Sequence, residues 1–116
     1  MKRSVKLFIE DILESITNIE SFTRGISKSD LMKNKEKQSA VIRQLEIIGE
    51  SIKNIPTSLK EKYPEVRWKG IAGLRDILTH SYFKVDLNLV WKIIEEDLSE
   101  LKESMLKIKK DLNNEF

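Results

Sequence analysis

Residues 5–22, VKLFIEDILESITNIESF, set Val5, Phe8, Ile9, Ile12, Leu13, Ile16, Ile19 and Phe22 three and four positions apart, the repeat of one face of an α-helix. The stripe stops near Gly25. Ser27, Ser29 and Asp30 then supply turn and N-cap chemistry for a second helix whose stripe is Val41, Leu45, Ile48, Ile52 and Ile55. Pro56 closes that helix and, with Thr57 and Ser58, opens a short helical turn over Leu59 to Tyr63 that Pro64 ends. A third helix is expected over Val66 to Thr79. In it Gly70 and Gly73 each cost about 1 kcal/mol relative to Ala, which close packing against another backbone would offset. Asp86 is placed to cap a last helix, in which Leu87, Trp91, Ile94, Leu98, Leu101, Met105, Ile108 and Leu112 alternate by four and three. Such a seam needs a long partner, either the first two helices or a second copy of the chain.

The expected fold class is therefore all-α, a bundle of four to five helices in a single domain over residues 1–116, with 113–116 a frayed tail. A chain of 116 residues buries enough surface for one modest core, and 40% hydrophobic with 34% charged residues, 4 Gly and 2 Pro suits amphipathic helices. Cysteine is absent, which excludes disulfides, thiolate metal sites and a cysteine nucleophile. Met1-Lys2-Arg3 leads into mixed apolar and acidic residues without the apolar core of a signal peptide, and no stretch approaches a membrane span, so a cytoplasmic location is expected. With 21 Lys and Arg against 19 Asp and Glu, the net charge of +2 is too balanced for a protein that coats nucleic acid. Between Lys60 and Lys84 six bases face three acids, a mild positive patch that an ordinary solvated surface would also show.

His80 is the one histidine, so no multi-histidine metal site exists within one chain. Glu95, Glu96 and Asp97 are consecutive and splay around a helix as a solvated face does. Gly70 and Gly73 follow no strand, which argues against a phosphate-cradling loop of dinucleotide type. The chemistry concentrates in Leu74-Arg75-Asp76-Ile77-Leu78-Thr79-His80-Ser81-Tyr82-Phe83. A guanidinium beside an imidazole suits metal-free cleavage of an RNA phosphodiester: His moves the proton of the 2′-hydroxyl or the leaving oxygen, and Arg neutralises the growing phosphate charge. Asp76, four residues before His80, is spaced to accept a hydrogen bond from the imidazole, fix its tautomer and raise its pKa.

Arg75 and His80, however, stand roughly 140° apart on an ideal helix. Convergence needs the helix to end before His80, or Arg75 to reach around, or a second subunit to complete the site. Two copies facing across a two-fold axis would also supply both a general base and a general acid from one histidine per chain. The plainer alternative gives His80 a helix-dipole role, pairs Arg75 with Asp76 or Glu65, and lays Tyr82 over the core.

Arg75, four residues, His80, one residue and Tyr82 together resemble the Arg-x4-His-x-Tyr motif of HEPN-domain toxins of the HepT type. The similarity extends to Ala40-Val41-Ile42-Arg43-Gln44-Leu45-Glu46-Ile47-Ile48-Gly49-Glu50, to Tyr63-Pro64-Glu65-Val66-Arg67-Trp68, to Ile71-Ala72-Gly73-Leu74-Arg75 and to Tyr82-Phe83-Lys84-Val85-Asp86-Leu87-Asn88-Leu89-Val90-Trp91. The resemblance implies a HEPN bundle that forms a homodimer, with the two motifs facing across a cleft that cuts RNA without a metal or other cofactor. It implies catalysis by Arg75 and His80, a supporting polar position at Asp76, and AMPylation of Tyr82 by a cognate minimal nucleotidyltransferase antitoxin of the MntA type. Each AMP adds bulk and negative charge beside a cleft meant for an anion. Two other readings stand beside this toxin ribonuclease. One is a non-catalytic helical dimer that binds a nucleotidyltransferase or a nucleotide, and the other is an oligomerisation bundle held by the last helix alone.

Overall fold

The computed structural model describes residues 4–71 and 86–114. The first helix, α1, runs Val5–Thr23; the Leu7 amide donates to the Ser4 hydroxyl at 3.3 Å, which caps its start. Beyond its end Gly25 turns the chain with φ of +74°, a region L side chains avoid. Where the sequence suggests one helix after this turn, two form. A short α2, Lys28–Lys33, is closed by a capping box in which the Asp30 amide donates to the Ser27 hydroxyl and the Ser27 amide donates to the Asp30 carboxylate. Asn34 then takes an extended backbone and its side chain accepts from the Lys37 amide, starting α3, Lys35–Lys53. The cap is the reason for the break, since one residue ends α2 and begins α3. Lys37 donates to the Phe22 carbonyl at 2.6 Å and Gln38 donates to the carbonyls of Leu31 and Met32, which satisfies helix-end acceptors that would otherwise lack partners.

Pro56 caps α4, Thr57–Lys62, and buries Leu59. Residues 68–71 are helical, so the third major helix begins at Trp68 rather than at Val66. Its predicted remainder lies outside the described residues. Asp86 accepts from the amides of Asn88 and Leu89 and caps α5, Leu87–Lys92, as the sequence indicates. A π-helical segment, Ile93–Asp97, joins α5 to α6, Leu98–Asn113.

That π turn corrects the predicted seam. The buried residues are Val90, Ile93, Leu98, Leu101, Met105 and Ile108, with steps of three, five, three, four and three. Leu98 onward follows the expected alternation, whereas before it the core is met by Val90 and Ile93, with Trp91 and Ile94 only half-buried. A π turn accommodates one extra residue and so shifts the phase by one.

Helices α1 and α3 form the most extensive packed pair, and α1 also packs along α6. Thus the partner of the last helix includes α1 of the same chain. Lys102 reaches Glu20 at 3.0 Å and Lys109 reaches Glu10 at 3.9 Å, so α1 and α6 run antiparallel. The Asn18 amide donates to Gln44 across α1 and α3. The core is led by Ile9, Ile12, Ile16, Ile19, Val41, Ile52, Met105 and Ile108, all at 0% exposure. Each such side chain contributes roughly 1.5–3 kcal/mol by leaving water.

Candidate functional site

Arg75, Asp76, His80 and Tyr82 all fall within residues 72–85, outside the described residues, as do Gly73 and Lys84. The structure instead defines the two supports from which this stretch is hung. On the entry side, Val66 and Trp68 are both buried and the Trp68 indole donates to the Tyr63 carbonyl at 3.0 Å. Tyr63 in turn donates its hydroxyl to Asp111 at 2.6 Å and lies under Lys107, whose ammonium is 5.9 Å from the ring centroid. Glu65 completes the cluster, 4.0 Å from Lys107. These contacts fix the start of the motif-bearing stretch to the C-terminal part of α6. On the exit side the Asp86 cap and the fully buried Val90 hold the chain where it returns.

The supports stand at different heights. Glu65 is level with Lys107, whereas Asp86 precedes Leu98 by 12 residues at the opposite end of the same helical rod. Residues 66–71 thus start from the Lys107 end of that rod, and Asp86 stands at its other end.

Beside the entry lies a cleft of about 210 Å³. Leu45, Ile48, Val66, Ile71, Ile93, Leu98 and Leu101 give it an apolar lining, and Arg67, Asp97 and Glu100 bring charge. Gly70 borders this cleft, and among the described residues a Cβ placed on it would meet nothing nearer than the Arg67 Cβ at 3.9 Å.

Of the positive patch read between Lys60 and Lys84, Lys62, Arg67 and Lys69 are exposed, while Lys60 is half-buried and its pKa is lowered by burial. Glu95, Glu96 and Asp97 are exposed, as expected, although on a π turn. Among the described residues no three His, Cys, Asp or Glu side chains gather as a metal site would require, and no helix is long and apolar enough to cross a membrane. Sequence reasoning missed Arg67 and Asp97 as cleft residues; the π turn that carries Asp97 has no composition signal of its own.

The sequence profile of the family described as ribonuclease HepT-like matches residues 12–108. The chain belongs to this family. The match takes in α3, both supports and the whole Arg75 to Tyr82 motif between them. Among its relatives, the "Probable ribonuclease HepT" of Thermococcus cleftensis is 49% identical over 95% of this HepT-like chain and 100% of its own. The "Gamma-glutamylcyclotransferase and putative RNase" of Methanocaldococcus jannaschii is 46% identical over 97% of this chain, which spans about half, 51%, of that protein's length. A "Putative RNase" of Caldanaerobacter subterraneus subsp. tengcongensis is 39% identical over 87% of this chain and 90% of its own. No solved structure matches the chain.

Proposed function

We propose that this HepT-like chain is a metal-independent endoribonuclease, the toxin of a toxin-antitoxin pair, and that it acts in the cytoplasm as a homodimer with a composite site. The observation that carries the reading is the intact Arg75, His80 and Tyr82 spacing inside a family match that runs unbroken from 12 to 108. The chemistry follows from the residue types. A histidine takes the proton of a 2′-hydroxyl, the 2′-oxygen bonds to phosphorus, and the P–O5′ bond breaks as a second histidine protonates the leaving oxygen. Arg75 stabilises the phosphorane charge. One histidine per chain makes the two imidazoles a property of the dimer, and Asp76 orients His80 in each half.

Tyr82 is the residue we assign to regulation. Transfer of AMP from ATP to its hydroxyl, with release of pyrophosphate, by a cognate minimal nucleotidyltransferase of the MntA type would place a phosphate beside the anion site and repel RNA. Two experiments test the reading. Expression of the wild type is expected to arrest growth, and His80→Ala or Arg75→Ala to relieve the arrest; equal toxicity of wild type and His80→Ala sinks the catalytic assignment. Intact mass after co-expression with the nucleotidyltransferase is expected to rise in units of AMP, with no rise in Tyr82→Phe.

A further inference from the structure

A second charged surface lies far from the motif in sequence. From Arg24 to Lys37 five bases, Arg24, Lys28, Lys33, Lys35 and Lys37, face two acids, Asp30 and Glu36. This run carries +3 in 14 residues, so the rest of a chain whose total is +2 sums to −1. This positive run lies on the α1–α2–α3 turn.

Arg24, Lys28, Lys33 and Lys35 are exposed, and none of them lies within ion-pair distance of an acid of the described residues. Lys37 is engaged with the Phe22 carbonyl. Asp30 is held below the usual carboxylate range by the amide and hydroxyl of Ser27, with Lys33 and Lys37 adding smaller pulls, so it stays ionised within its cap. The turn is also ordered rather than loose: the capping box, the Asn34 cap and the Gln38 bonds fix the backbone on which the four cations stand.

Its place in the bundle gives it a purpose. Since Glu20 is level with Lys102, α5 and the π turn extend past the end of α1 by about 15–20 Å at 1.5 Å per residue. Asp86, four residues after Tyr82 in the sequence, is at the tip of that extension and so shares one end of the molecule with the cationic turn.

We propose that Arg24, Lys28, Lys33 and Lys35 form an auxiliary phosphate-tracking site that binds the RNA backbone outside the cleavage site, for which their exposure, their lack of acidic partners among the described residues and their place at the same end of the bundle as Asp86 argue. It rests on the ribonuclease reading and deepens it. A long RNA engages both surfaces, a dinucleotide only the cleavage site. Four exposed cations on a fixed turn attract a polyanion.

The test compares the full-length protein with a variant carrying Arg24→Gln, Lys28→Gln, Lys33→Gln and Lys35→Gln, with Lys110→Gln near the opposite end of α6 as control. Affinity for a long unstructured RNA pool is measured against salt in the His80→Ala background, and turnover of a dinucleotide pool in the unaltered background. The variant is expected to bind long RNA at least about tenfold more weakly and to lose up to about 3 from the slope of log K against log salt, near 0.7 per phosphate contact. Dinucleotide turnover and the control are expected to match the parent. An unchanged salt slope with parental affinity overturns the site, as does intact RNA binding with lost capture of a co-expressed nucleotidyltransferase, which would make the turn a protein-docking surface. A parent that neither binds nor cuts any RNA overturns the ribonuclease reading itself.

Discussion

Ile16 has no exposed surface and belongs to α1, the helix that packs against both α3 and α6. Ile16→Ala is predicted to cost about 2–5 kcal/mol, read by chemical denaturation, because lost transfer energy and a residual cavity add. Gly70 gives the opposite sign. With no atom of the described residues closer than 3.9 Å to an added Cβ, Gly70→Ala is predicted to stabilise by about 0.5–1 kcal/mol through helix propensity, checked in the same assay. The chemistry at this scale was legible as residue types and spacing: a lone His80, an Arg75 five residues before it and a Tyr82 beyond. The relation of those side chains in space was not, since a five-residue separation would put them roughly 140° apart on an ideal helix and spacing alone does not choose among a helix end, a reaching Arg75 and a second subunit.

Caps account for the agreement and the disagreement among the elements. Asp86 starts a helix where the sequence places a start, because capping depends on one side chain and two or three neighbouring amides, and α4 starts after Pro56 without a side-chain cap bond. Asn34 was overlooked as a cap, and α2 with it. Ser27→Ala is predicted to lower stability by about 1 kcal/mol. The Asp30 pKa, lowered in the folded state, makes its contribution present above the unfolded carboxylate value near 3.8 and lost as pH falls through the folded value. That acid loss is expected to be smaller in Ser27→Ala, measured as stability against pH.

The π turn was not legible, because a stripe of Leu87, Trp91, Ile94 and Leu98 satisfies the heptad as well as Val90, Ile93 and Leu98 satisfy a shifted one. Deleting exposed Glu95 would turn the buried steps into three, four, three, four and three. The deletion is predicted to retain the fold and its thermal stability, whereas deleting Glu103 from α6 would rotate the chain on one side of it by about 100° and unfold it.

For the whole molecule, two fixed points flank the motif in the sequence, the Tyr63–Asp111 contact and the Asp86 cap, and they stand at opposite ends of the α5–α6 rod. The all-α class was legible because four stripes repeat at helical period. The mild positive patch of Lys60–Lys84 keeps Lys62, Arg67 and Lys69 exposed, with Lys60 half-buried and Arg75 and Lys84 outside the described residues, and the run from Arg24 to Lys37 adds four exposed cations that its balanced surroundings in the sequence did not single out.

The central claim is that Arg75 and His80 cut RNA. The most direct test is single-turnover cleavage of RNA by the purified protein in the presence of a chelator, wild type against His80→Ala. The account predicts cleavage by the wild type and a loss of about 10²–10⁴-fold in the variant, the range set by removal of a general acid–base group. Equal rates for the two proteins, or cleavage that the chelator abolishes, would contradict it.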